Sequence, residues 1–264
     1  KLPKVVIPVH LCGQACDMAG IYALSQQYGF NVIEDASHAI GGQYKNEPIG
    51  NCHYSDITIF SFHPVKIITT GEGGMAVTND VALVKRMRLL RSHGISNTAA
   101  DMHPRPPQEI WNYQQIDLGF NYRMTDIQAV LGSSQMARLD SYVAKRHRIA
   151  ERYDKELAGL PIQTPWQCCD NYSAYHLYPV RIKPDQSGII QRQVYDALQV
   201  AGVNVNLHYI PVYRQPYYEA LGFKAGYCPE AEQYYQQALS IPMYPTLTDA
   251  EQAKVICVLQ ETLA

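Results

Sequence analysis

The 264 residues are 47% hydrophobic and 17% charged, with a formal net charge of −2. That balance fits one large globular domain or two small ones, with no general attraction to nucleic acid, and no apolar run approaches the roughly 18 residues of a membrane span. Seven cysteines include no Cys-x-x-Cys pair, and Cys168 and Cys169 are adjacent, which argues against a disulfide framework or zinc site and for a reducing, cytoplasmic setting.

In chain order, residues 5–9 read as a fully buried strand. Asp17 caps the helix that follows through Ile21, Leu24 and Tyr28, and Gly29 stops it. Residues 30–34 form the next strand, a rhythm that predicts a parallel sheet. Asp35 then stands at a strand's carboxyl end, where open α/β sheets bind ligands, and His38 follows in a short turn. Residues 43–50 read as a polar loop or hairpin.

The stretch 33–78 carries the chemistry. Alternation from Ile57 leads through Ser61 into a loop that holds Lys66, then into Thr69-Thr70-Gly71-Glu72-Gly73-Gly74 and a strand over 75–78. A strand-end aspartate, a hydroxyl, a lysine and a glycine-rich turn form a set that could bind pyridoxal 5′-phosphate (PLP). A lysine amine forms an imine with its aldehyde, an acid such as Asp35 keeps the pyridine nitrogen protonated, and Ser61 can bond a phosphate oxygen. Lys66 must be partly neutral to attack, which desolvation would provide. Glycines 71, 73 and 74 let the backbone approach closely and take positive φ.

Beyond it, Asn79-Asp80 caps a helix over 81–91 whose Lys85, Arg86, Arg88 and Arg91 read as a solvated face. Residues 92–113, with three prolines, read as a long loop near substrate or a dimer contact. Thr125 to Gln128 is a capping box, and apolar spacing continues through Ile127, Val130, Leu131, Met136 and Leu139. A domain boundary falls near Asp140, giving domains 1–140 and 141–264. The second reads as a small α+β domain. Its strand over 173–182 has Pro179 hinting at an edge, and a helix over 191–201 is followed by a strand over 203–207. Then come the His208-Tyr209-Ile210-Pro211-Val212-Tyr213 segment, a segment over 229–239 and a capped helix to Leu263.

The words Glu-Asp-Ala-Ser-His-Ala, Ser-Phe-His-Pro-Val-Lys, Thr-Gly-Glu-Gly-Gly and Asn-Tyr-Arg-Met-Thr-Asp-Ile-Gln-Ala occur in one order. From Pro8 to its end the chain resembles the DegT/StrS family of nucleotide-sugar aminotransferases. The resemblance implies the fold-type-I PLP architecture: an incomplete large domain with a mostly parallel sheet, plus the small C-terminal domain. Ser-Phe-His-Pro-Val-Lys, Arg-Ser-His-Gly-Ile and His-Tyr-Ile-Pro-Val most resemble its pseudaminic-acid branch. That branch aminates C4 of a UDP-linked 4-keto-6-deoxy-N-acetylhexosamine, with glutamate as donor. The resemblance makes Lys66 the imine lysine, sets Asp35 and His38 at the cofactor ring and Ser61 at its phosphate, and sends Asn121 to the phosphate of a neighbouring subunit in a homodimer. It places His208 and Tyr209 near the nucleotide-sugar, and Tyr213 where members often have His. It also implies a leading segment before Lys1, with a phosphate-binding turn and a stacking aromatic. Rival readings are an aminotransferase for another nucleotide-linked keto-sugar, a lyase on the same fold, a non-catalytic PLP- or sugar-binding regulator, and an inactive, aggregation-prone fragment.

Overall fold

The structure is a computed structural model that describes residues 2–263. The chain forms two compact units. The first takes 2–10, 16–37 and 47–137; the second takes 138–263 together with two short stretches of the first half, 11–15 and 38–46.

In the first unit a four-stranded sheet runs Val5–Val6, Asn31–Asp35, Ile57–Ser61, Gly74–Val77. The first three strands are parallel and the last is antiparallel. The crossover from the first to the second is the helix Met18–Tyr28, which Asp17 caps by accepting from the Gly20 N–H and Gly29 ends at φ 71°. Asn31–Asp35 turns Val32 and Glu34 to a buried face, so its alternation puts Ile33 and Asp35 on the other. The 5–9 segment departs from expectation. Only Val5 and Val6 form a ladder, and Val9 makes an isolated parallel bridge to Asp35. With one neighbour strand among the described residues, Val5, Ile7 and Val9 are 41%, 57% and 48% exposed, not buried.

The helix Val81–Arg91 has its N-terminus capped by Asp80 and buries no side chain. Its basic face is solvated, with Lys85 paired to Asp101 and Arg86 to Asp117. The helix Asp126–Met136 opens with the capping box predicted at Thr125 and Gln128. Its apolar spacing does not mark a covered face, however, because within this unit only Gly132 is buried and Ile127 and Val130 stand 85% and 69% exposed.

The second unit has its own core. An antiparallel sheet places Tyr178–Ile182 between Ala238–Ile241 and Ile162–Gln163. The helices Leu139–Glu156, Gln191–Val200 and Asp249–Leu263 supply Tyr153, Val194, Leu198 and Leu259 to the same apolar cluster as Tyr178, Val180 and Leu239. The buried tyrosines find partners: the Tyr153 hydroxyl donates to the Pro242 carbonyl and Tyr178 to Asp154. Two expectations are corrected. The strand at 173–182 spans only 178–182 and lies centrally. Pro179 is tolerated because it faces Ser240 on one side, while the ladder on the other side involves only Arg181 and Ile182. Residues 203–207 are irregular, with one bridge from Asn206 to Ser240. The helix beginning at Pro229 ends at Gln237, and Ala238–Ile241 leaves it directly as a fully buried strand.

Candidate active site

Parallel pairing aligns Asp35 with Ile59, so Asp35 and Ser61 reach the same end of the first unit's sheet. The Asp35 main chain is held to the segment before it in sequence by both its groups: its N–H donates to the Pro8 carbonyl (2.9 Å) and its carbonyl accepts from the His10 N–H (3.0 Å). Its side chain accepts from the Ser37 N–H at 3.0 Å, a local turn that ends the strand. Ser61 Oγ accepts from the His63 N–H at 3.4 Å and keeps its own proton to donate.

Lys66 follows in a turn closed by its N–H to the His63 carbonyl at 2.9 Å. Next to it Ile67 and Ile68 are buried, 4% and 1% exposed, and anchor the turn while the lysine stays half-buried. Burial pushes its amine below the usual lysine range, and the charge of Asp35 acts in the opposite direction. That electrostatic coupling joins the two residues on which the sequence reading turned.

The glycine turn is built tightly behind this lysine. Gly73 has φ 156°, and a Cβ there would fall 2.4 Å from Thr70 Oγ1, so no other residue fits. Thr70 bonds the Phe62 carbonyl through its N–H and the Glu72 carbonyl through its hydroxyl. The Asp126–Met136 helix leans on the turn at two points. Gln128 donates to the Glu72 carbonyl at 2.9 Å, and Gly132 lies against the Thr70 methyl.

The sequence reading missed the far face of the same strand. Glu34 is 5% exposed and its carboxylate bonds His10 Nε2 at 2.8 Å, Thr58 Oγ1 at 3.2 Å and the Ser55 hydroxyl. Burial pushes this carboxyl up, and the bonds from His10, Ser55 and Thr58 overcome it, leaving Glu34 below its ordinary range. The signal was a carboxylate at a position that alternation assigns to the interior, which demands a buried partner.

In the second unit His38 is buried, with Nδ1 accepting from the Cys12 N–H at 3.3 Å and Nε2 3.5 Å from the Tyr209 hydroxyl. The His176 ring lies 4.4 Å from it. His208 Nδ1 pairs with Ser240 Oγ at 2.9 Å. The Tyr213 hydroxyl donates to Glu232 Oε1 at 2.6 Å and accepts from the Cys228 N–H, so it braces the 226–232 turn. The structure therefore sets Asp35 and Ser61 at one end of the first unit's sheet, with Lys66 in the field of Asp35, and groups His38, Tyr209 and His208 in the second unit. Tyr213 lies in the second unit as well, with its hydroxyl on Glu232. Asn121 is exposed and bridges Ser92 in the first unit, beside a cavity of about 710 Å³ lined by His93, Trp111, Tyr113 and Arg123.

Residues 1–260 match the DegT/DnrJ/EryC1/StrS aminotransferase family, and the chain belongs to it. The spore coat polysaccharide biosynthesis protein SpsC of Bacillus subtilis (strain 168) is 37% identical over 256 residues, covering 96% of this chain and 65% of that protein. Among solved structures, Helicobacter pylori PseC, an aminotransferase involved in pseudoaminic acid biosynthesis, superposes with a TM-score of 0.89 at 27% identity, covering 98% of this chain and 67% of PseC. Spr1654 of Streptococcus pneumoniae in its PMP form gives 0.87 at 28% identity, covering 98% and 69%. Spr1654 is also known in a PLP form. The fold is thus the α/β fold of solved aminotransferases, and the chain spans about two thirds of the length of the curated relative it matches.

Proposed function

We propose that this chain is the body of a PLP-dependent aminotransferase that moves an amino group from glutamate to C4 of a UDP-linked 4-keto-6-deoxy-N-acetylhexosamine. The observation that carries the reading is a half-buried lysine of lowered proton affinity in the field of a strand-end carboxylate. These residues fit PLP chemically. Lys66 offers an amine closer to neutral than a solvated lysine, Asp35 a carboxylate for the ring nitrogen, and Ser61 a hydroxyl for the phosphate. When bound, PLP supplies an aldehyde for the amine and a ring that withdraws electrons. Lys66 Nζ then takes the proton from the donor's α-carbon, and in the second half-reaction it returns one at C4 of the sugar. Asp35 holds the proton on the ring nitrogen throughout. The resemblance assigns His38 to the ring oxygen, and His208 and Tyr209 to the sugar nucleotide.

A cytoplasmic homodimer completes the proposal, with Asn121 serving the phosphate of the neighbouring subunit. Its support is an apolar surface left open on the first unit, where Ile110, Trp111 and Leu118 are 90%, 74% and 82% exposed. A second substrate reading has its own support: identity to SpsC, at 37%, exceeds the 27% to PseC, which favours a different nucleotide-linked keto-sugar.

The test uses the full-length protein and a panel of nucleotide-linked keto-sugars with glutamate, followed by mass spectrometry of the aminated product. Transfer that Lys66→Ala abolishes is expected, with the preferred sugar separating the two substrate readings. Normal transfer by Lys66→Ala removes the assignment.

A further inference from the structure

Two acidic residues stand side by side on the Asn31–Asp35 strand, and alternation sends them to opposite faces of the sheet. Asp35 faces the end where Lys66 feels its charge. Glu34 faces inward and is tied to His10, which is itself 0% exposed. His10 reaches the strand twice. Its ring bonds Glu34 Oε2 at 2.8 Å, and its main-chain N–H donates to the carbonyl of Asp35 at 3.0 Å. The Cys16 N–H lies 3.3 Å from Nδ1, so the ring is held at both nitrogens with Nε2 aimed at the carboxylate. Ser55 and Thr58 complete the clamp from the neighbouring strand and its entry. The imidazole thus ties the residue before Asp35, while the main chain of the same residue holds the Asp35 carbonyl.

We propose that His10 is a positioning residue for Asp35, holding the strand end so that the carboxylate stays aimed at the ring nitrogen of the cofactor. The bond to an ionised, buried Glu34 is charge-assisted and short of alternatives, so a side chain of similar size without a donor cannot replace it. A donor at the position of Nε2 should suffice, which is what a glutamine offers.

This inference rests on reading Asp35 as the ring-nitrogen partner, and its test separates the two. Full-length wild type, His10→Leu, His10→Gln and Asp35→Asn are titrated as apoproteins with PLP, and the isotopically labelled ring nitrogen of bound PLP is followed by NMR. His10→Leu should weaken PLP binding about tenfold, the scale of one charged hydrogen bond, and shift the ring-nitrogen signal toward that of Asp35→Asn. His10→Gln should retain the wild-type signal. A purely structural role would lower thermal stability without moving that signal. Unchanged affinity and signal in folded His10→Leu overturn the proposal. If that variant fails to fold, Glu34→Gln, which keeps shape and removes the charge, must move the signal the same way, and a wild-type signal there overturns it equally. Absence of PLP binding by wild type would instead remove the functional reading itself.

Discussion

Replacing Gly132 by Ala adds one methyl where the Asp126–Met136 helix meets the turn behind Lys66. In an exposed helix interior the change would stabilise by about 1 kcal/mol, because alanine loses less backbone entropy. Here the new Cβ would lie 2.8 Å from Thr70 Cγ2, about 0.6 Å inside ordinary contact at 3.4 Å. Thr70 is 3% exposed and its hydroxyl is fixed to the Glu72 carbonyl at 2.7 Å, so it cannot rotate away without breaking that bond. Overpacking of this kind costs about 1–3 kcal/mol, which outweighs the propensity gain and destabilises the protein by about 1 kcal/mol. Thr70→Ser keeps the hydroxyl and removes the offending methyl. In that background Gly132→Ala should become neutral or stabilising, a coupling of about 1–2 kcal/mol in a double-mutant cycle. Urea unfolding at constant m measures all four proteins. Equal effects of Gly132→Ala in both backgrounds would refute the contact as the cause.

The Lys66 amine gives a prediction of sign. Because Asp35 raises its pKa against burial, Asp35→Asn should lower it further and enlarge the neutral fraction. Reductive methylation of Lys66 in cofactor-free protein, read by peptide mass spectrometry at mildly alkaline pH, should therefore run faster in the variant; equal or slower labelling contradicts the coupling. Since the unfolded chain binds that proton more tightly, the contribution of Lys66 to stability should rise as pH climbs from its lowered value to that of an ordinary lysine. In the second unit, Tyr153→Phe removes the only side-chain bond recorded to the Pro242 carbonyl among the described residues. Stranding that acceptor should cost about 1–3 kcal/mol, seen as a lower Tm, and an unchanged Tm would mean water replaces the hydroxyl.

Much of the site was legible because its signals are local. Asp35 and Ser61 end apolar strands, Lys66 follows a turn, and Gly73 needs a backbone that other residues resist. Caps at Asp17, Asp80 and Thr125 lie within three residues of the groups they satisfy. The errors came where a residue's state depends on a distant partner. His10 and Glu34 are 24 positions apart, and nothing near either one announces the other. The 5–9 run has the composition of an interior strand, yet the number of neighbouring strands decides its exposure. Ala238–Ile241 follows a helix without a break and is a strand because Tyr178–Ile182 supplies its hydrogen bonds.

The chain order alone determined where the acid, the hydroxyl and the amine stand on their strands and turns, since short-range sterics and periodicity set those. Only tertiary contact decided how proton affinity is tuned at Lys66 and what braces Asp35 from behind, because burial and charge act through space between segments far apart in sequence.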